Sequence, residues 1–254
     1  MNILFTICGR AGSKGLKNKN LRELNGIPLV YYSLFVIKLY CDKYRNDKVV
    51  VALNTDSEEL VELVMKQTYI PGIQIIKRKA ELADDTTPKV SVIQSTYQQC
   101  KSYINFDVIV DLDVTSPLRR LCDVECAIQK ILQDRQCDVA FSVVPSRRSP
   151  YFNMVEKRGN YYQKICRTDF TVRQQSPATY ELNASIYAYN PNFLEKEIDK
   201  TLLEYNCAII EMPDYLVLDI DSEKDLWLMK EILPVMIKYD KELGEVIRSM
   251  SCNV

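Results

Sequence analysis

The sequence predicts an α/β fold, a mostly parallel sheet flanked by helices. Three observations carry that prediction. Apolar strand-like runs alternate with helical segments along most of the 254 residues. The strand-like runs are continuously apolar, as expected of strands buried on both faces. A basic, glycine-containing loop follows the first run directly, where an open parallel sheet places its ligand.

Taken in order, NILFTIC reads as a buried first strand. PLVYYSLFVIKLYCDKY follows as a helix with Pro28 at its first position. KVVVALN is a second strand, and TDSEELVELVMKQ a helix opened by capping and acidic first-turn residues. IQIIKR is a short third strand, TPKVSVIQSTYQQCKSY a helix, and FDVIVDLDV a fourth strand. DVECAIQKILQD is helical and CDVAFSVV a fifth strand. Strands separated by helices imply right-handed crossovers. The rhythm breaks near Pro145, where Tyr, Arg, Ser and Pro accumulate and short alternating pieces appear, such as YFNMVEK and SIYAYN. Residues 145–190 therefore read as an inserted β-rich subdomain, and residues 1–144 and 191–254 as the main α/β domain. The main pattern resumes with CAIIEM and YLVLDID, both read as strands, and closes on a helix from about Ser222.

Composition narrows the chemistry. A net charge of −1 argues against a nucleic-acid partner. No apolar run reaches the roughly 18 residues of a membrane span, and the start lacks the basic region of a signal peptide. The nine cysteines form no C-x-x-C pair; Cys122 and Cys126 share a helix face but have no second pair. They read as reduced thiols of a cytoplasmic protein. The chain has no histidine. Ser-His-Asp and Cys-His catalysis are thereby excluded, and chemistry must run on carboxylates, Lys, Arg, backbone amides and a hard metal ion.

The loop CGRAGSKGLKNKN carries Arg10, Lys14, Lys17 and Lys19 among Gly9, Gly12 and Gly15. It satisfies neither G-x-x-x-x-G-K-[ST] nor G-x-G-x-x-G. Its physics still suits an anion: glycines let backbone N–H groups turn inward, Arg10 forks two phosphate oxygens, and Lys14 and Lys19 act as point charges. The other strand ends, NTDS, DVTSPLR and DID, bring carboxylates to the same edge. That combination suits a polyphosphate with a divalent cation. Asp219 and Asp221 stand two apart in an apparent strand, so their side chains point the same way, as a Mg²⁺ site requires. Capping of the helix at Ser222 is the competing reading.

ICGRAGSKGLKNKNLRELNGIPLVYYSL resembles the opening of the CMP-sialic acid synthetases, close to A-R-x-x-S-K-G-x-x-x-K-N-[LI]-x-x-L-x-G-x-P-L. NTDSEEL, RKAELADDTT, LDVTSPLR, RQQSPATYELNASIYAY and DIDSEKDL resemble the family's later motifs in the same order, and the likeness covers about residues 3–229. It implies a Rossmann-like nucleotide-diphospho-sugar transferase fold with a small dimerisation insert. It implies transfer of CMP from CTP to the anomeric hydroxyl of a nine-carbon α-keto acid sugar, with pyrophosphate released. By the resemblance, Arg10, Ser13, Lys14, Lys19 and Asn20 hold the CTP phosphates, and Arg10, Lys19, Asp113 and Asp221 carry catalysis. Asp219 and Asp221 hold Mg²⁺. Arg78, Ser91 and the ELADD loop line the cytosine and ribose pocket, although Thr86 and Thr87 read equally well as helix caps. Arg173 binds the sugar carboxylate, and Asn183 and Tyr187 contact the sugar. The insert pairs with its twin in a homodimer, bringing Arg173 to the partner's site.

Two departures fall on the sugar side. Asp113 and Val114 replace the family's Gln-Pro, and Phe152 and Asn153 stand where a Lys is common. Asp113 is read as a hydrogen-bond acceptor for the sugar, a member of the metal shell, or an aid to deprotonation. These departures favour a legionaminic-type acid over sialic acid. A Kdo cytidylyltransferase is disfavoured by T-S-P-L-R and R-Q-x-x-P, and a non-catalytic binder of CTP or sugar by Lys19, Asp219 and Asp221.

Overall fold

The computed structural model describes residues 1–12, 15–84, 86–102 and 104–251. Its centre is β1 (Asn2–Gly9), paired in parallel with β4 (Lys48–Thr55) on one side and β6 (Val108–Leu112) on the other. The period of two decides the layers: Ile3, Phe5 and Ile7 face one core, and Leu4 faces the other. A two-residue hairpin, β2 (Glu23–Leu24) and β3 (Ile27–Pro28), leads into α1 (Leu29–Lys43), almost wholly buried. After β4 come α2 (Glu58–Lys66), capped by Ser57 accepting from the Leu60 N–H at 3.2 Å, and edge strand β5 (Gln74–Lys77). α3 (Lys89–Cys100) leads to β6, and α4 (Leu121–Gln133) to β7 (Val139–Pro145).

The chain then leaves the sheet. β8 (Val155–Arg158) and β9 (Tyr161–Lys164) form a separate antiparallel hairpin. β10 (Tyr180–Tyr189) returns antiparallel to both β6 and β7 and lies between them; β11 (Cys207–Glu211) completes the order β11-β7-β10-β6-β1-β4-β5. The mostly parallel α/β fold expected from sequence is thus present. Residues 180–189, grouped with the insert on sequence, form an inner strand of the main sheet. Their apolar–polar alternation is compatible with the antiparallel pairing found here and does not mark a separate subdomain.

YLVLDID differs as well. It forms a 3-10 turn at Asp214–Leu216 and then irregular chain, because the Ile220 N–H donates to the Thr115 carbonyl at 2.8 Å and no neighbouring strand offers a ladder. The terminal helix is two, α5 (Glu223–Tyr239) and α6 (Lys241–Ser251), divided at Asp240, whose carboxylate accepts from the Leu243 N–H. Every described cysteine is a free thiol. Among the described residues no helix is long and apolar enough to cross a membrane.

Candidate active site

A cavity of about 530 Å³ opens at the carboxyl ends of β1, β5 and β6. Arg10, Lys19 and Asn20 line it from the basic loop, Arg78, Asp84 and Thr87 from the β5–α3 connection, Lys89 from α3, Asp113 and Thr115 from the loop after β6, and Asp221 from the chain before α5. Ser13 and Lys14 lie outside the described residues.

The basic loop is closed by local geometry. Asn18 takes a left-handed φ of 54°, after which Lys19–Leu21 form a 3-10 turn. Asn20 Nδ2 donates to the Arg10 carbonyl at 2.9 Å, and the Ala11 N–H to Asp56 Oδ1 at 2.8 Å. Lys19 Nζ then meets Asp221 Oδ1 at 2.8 Å, joining two residues 202 apart in sequence. Asp221 is 69% exposed at its side chain, so this pair contributes little stability and serves to mark proximity. The proximity in turn requires Gly15: a Cβ there would stand 2.5 Å from the Asp221 carbonyl oxygen. Gly15→Ala should therefore push the two arms apart and cost activity about tenfold or more, the scale of a misplaced catalytic group. Activity within twofold of wild type in a steady-state assay would contradict this reading of the contact.

The opposite wall holds an ion cluster that sequence reasoning missed. Lys89 Nζ lies 2.6 Å from Asp111 Oδ2 and 2.6 Å from Asp113 Oδ2. Asp113 Oδ1 accepts the Thr115 N–H and hydroxyl, both at 2.8 Å, and Asp111 Oδ1 accepts the Thr6 hydroxyl at 2.7 Å. Asp111 Oδ2 is buried and makes no directional hydrogen bond, so its contact with Lys89 is charge against charge. Burial opposes the Lys89 charge, but Asp111 and Asp113 outweigh it and hold the ammonium well above its ordinary pKa. Burial likewise opposes ionisation of Asp113, and Lys89 and Thr115 overcome it, bringing the carboxyl down to about 2. So acidic a group is a weak proton acceptor at neutral pH, which counts against Asp113 as the base for the sugar hydroxyl. The signal in the sequence was Asp111 itself: an acid inside a buried strand demands a partner.

The depressed pKa has a stability consequence with a definite sign. An aspartate below its unfolded value of about 3.9 stabilises fully above that value and loses the contribution as pH falls towards 2. Asp113→Asn should therefore show a constant deficit against wild type in urea unfolding from pH 8 to about 4.5, narrowing below that. A deficit already gone at pH 5.5 would refute the ion pair.

Behind this wall, Arg119 is completely buried. It donates to Ser33 Oγ at 2.8 Å, to Ser185 Oγ at 3.0 Å, and to the carbonyls of Asp113 and Ser116. Burial lowers its pKa to about 10, which leaves it charged at neutral pH. The guanidinium thereby ties α1, the TSPLR loop and β10 together.

The remaining residues named from sequence divide. Arg78, buried, donates to Asn54 Oδ1 at 2.9 Å and to the Asn54 carbonyl at 3.1 Å while facing the cavity. Thr86 and Thr87 do not cap α3, whose N-cap is Pro88; their N–H and hydroxyl groups donate to Asp84. Ser91 sits on α3, outside the cavity lining. Tyr187, half-buried on β10, has Lys89 Nζ 5.8 Å from its ring centroid. Asn183 is only 2% exposed and does not reach the cavity. Its Nδ2 donates to the Leu216 carbonyl at 3.0 Å and its own carbonyl accepts from Ser116 Oγ at 2.7 Å. Arg173 is exposed and lines a separate cavity of about 260 Å³ with Ser146, Ser149 and Tyr180.

Asp219 and Asp221 share no strand, so the two-residue period is not what brings them together. They stand two residues apart in the chain before α5, Asp221 lining the cavity and Asp219 outside its lining; burial raises the Asp219 pKa, the charge of Asp221 raises it further, and Lys19 pulls it down. Nor does either side chain cap α5; Ser222 does, in a box with Asp225.

Residues 4–227 match the family model described as Cytidylyltransferase. Over 235 residues the chain is 34% identical to Post-translational flagellin modification protein B of Campylobacter coli, covering 91% of this chain and 94% of that one. It is 32% identical over 236 residues to CMP-N,N'-diacetyllegionaminic acid synthase of Campylobacter jejuni, with the same coverage. It is 26% identical over 226 residues to N-acylneuraminate cytidylyltransferase of Streptococcus agalactiae, covering 89% of this chain and 52% of that one. The solved structure of CMP:2-keto-3-deoxy-manno-octonic acid synthetase complexed with CTP superposes over 92% of this chain and 99% of its own, at TM-score 0.66 and 16% identity, a likeness of fold. With that fold, a cationic loop facing an acidic segment across one cavity, and a family match over nearly its whole length, this chain belongs to the cytidylyltransferases.

Proposed function

We propose that the protein transfers CMP from CTP to the anomeric hydroxyl of a nonulosonic acid, of legionaminic type, and releases pyrophosphate. The observation that carries this reading is the meeting of Lys19 and Asp221 at 2.8 Å across a cavity also lined by Arg10 and Arg78. Two similar proteins, one named for CMP-N,N'-diacetyllegionaminic acid in Campylobacter jejuni and one in Legionella pneumophila, favour that sugar class. In the reaction the sugar oxygen bonds to the α-phosphorus, the bond to the β-phosphate oxygen breaks, and pyrophosphate leaves. Arg10 and Lys19 fork and balance the phosphate oxygens, on which negative charge grows. The buried Arg78, fixed by Asn54, offers a rigid cation on the nucleoside side.

The acids before α5 fit a magnesium ion. Among the described residues no three acidic or thiol side chains gather into a closed metal cage. Mg²⁺ needs no cage, because one or two carboxylates plus substrate phosphates and water suffice. Asp219 and Asp221, neighbours that repel one another, are an all-oxygen pair of that kind. Bound there, the ion would neutralise phosphate charge.

A homodimer formed through the insert belongs to the same reading. Tyr161 and Tyr162 on β9 of the hairpin are 76% and 68% exposed, and Val155 on β8 is exposed as well. Replacing both tyrosines by glutamate should leave monomers in sedimentation. Arg173, which lines the separate cavity of about 260 Å³ and not the active-site cavity of its own chain, is then a residue for the partner's site, and the protein works in the cytoplasm.

The test is incubation with CTP, Mg²⁺ and a panel of sialic, legionaminic and Kdo-type acids, following pyrophosphate. Release fastest with the legionaminic acid is expected. Release with none of them would return the protein to the class of non-catalytic binders.

A further inference from the structure

We propose that Lys89 is a positioning residue that stands in for a second metal ion. It bridges Asp111 and Asp113 and leaves Asp219 and Asp221 to seat one divalent cation alone. This rests on the reading of those two acids as the cation's seat.

The geometry carries it. Sites with two metals clamp their reacting oxygens between ions about 3.5–4 Å apart, and carboxylates share those ions. Here Asp111 and Asp113 come from one strand and the loop after it, and a single ammonium touches both at 2.6 Å. The remaining oxygen of each acid is occupied by a threonine, Thr6 for Asp111 and Thr115 for Asp113. No lone carboxylate oxygen of this pair therefore faces the cavity without a protein partner. Asp111 is fully buried, and its Oδ2 has no hydrogen bond to replace the cation if the cation leaves. Lys89 is the first residue of α3, held behind Pro88, with its charge near the face of the Tyr187 ring, so it is placed from two sides. A dication cannot enter between the two acids while the ammonium is there, since like charges at this range repel strongly inside a protein.

The experiment counts manganese. Full-length wild type, Lys89→Gln and the double variant Lys89→Gln/Asp111→Asn are equilibrated with Mn²⁺, and free Mn²⁺ is read by electron paramagnetic resonance. Lys89→Gln is expected to hold one more Mn²⁺ per chain than wild type, and the double variant to return to the wild-type number. Equal numbers in wild type and a folded Lys89→Gln would overturn the proposal. If Lys89→Gln unfolds in chelator, Mn²⁺ must refold it, because the ion takes over the ammonium's place; failure to refold overturns the proposal as well. The readout is independent of sugar turnover. An unchanged count beside normal pyrophosphate release defeats this inference only, and a changed count without release defeats the functional reading only.

Discussion

Lys19→Ala is expected to lower kcat/KM for pyrophosphate release by about 10²–10³-fold, the range for removal of one preorganised donor at a developing oxyanion. Lys19 carries an ion pair from the basic loop to the acidic segment before α5. It thus stands where a triphosphate and its cation would be gripped from both sides. The resting pair with Asp221 is exposed and adds little to folding, so the variant should melt within a few degrees of wild type while losing turnover. Asp221→Asn should lose activity on a similar scale. The double variant should fall little further, because residues that act as a unit are not additive. Steady-state kinetics on the four proteins, with unfolding curves alongside, decide it. A loss below twofold in Lys19→Ala, or full additivity in the double variant, would separate Lys19 from the chemistry.

Arg119→Met is expected to destabilise the fold by about 3–5 kcal/mol, the cost of removing one partner from a buried charged network. Four acceptors lose their donor at once. The carbonyls of Asp113 and Ser116 keep only the long 3.3 Å bonds they accept from the Ser33 and Ser185 hydroxyls, and each buried group left short of a full partner costs up to about 1–3 kcal/mol. For a chain of this size that is a fall in Tm of roughly 10 °C or more. Arg119→Lys should recover only part of it, because one ammonium cannot reproduce a fork spread over three elements. Calorimetry measures this directly. A Tm within 2 °C of wild type in Arg119→Met would show that TSPLR holds its shape without the guanidinium. Since Thr115 and Asp113 belong to the loop Arg119 holds, activity should fall with stability.

Much of this molecule was legible as a string. The parallel core follows from apolar runs long enough to be buried on both faces, and the meeting of Lys19 with Asp221 followed from placing motifs at strand ends. Three things were not legible, each for a physical reason. β10 alternates in sequence although no residue from Asn183 to Tyr189 is exposed, and alternation alone does not say which sheet a strand joins. YLVLDID has the composition of a strand, but its backbone donor is taken by Thr115, and pairing partners are not written locally. Asn183 matched a sugar-contacting motif, yet it is buried away from the cavity with its Nδ2 donating to the Leu216 carbonyl, so it shapes the chain before Asp219 from behind. Lys89 escaped notice because it stands alone in sequence; only the burial of Asp111 makes it necessary.

β10 spans a length of about 3.3 Å per residue over its ten residues. Its first residues pair with the last residues of β7, and Tyr187 reaches the Lys89 cluster. Between them the register slips, and Ala184 adopts a left-handed φ of 53° that L-residues take at a cost of roughly 1 kcal/mol. A glycine takes that backbone region without the Cβ penalty, so Ala184→Gly should relieve the local cost while the register slip stays in place.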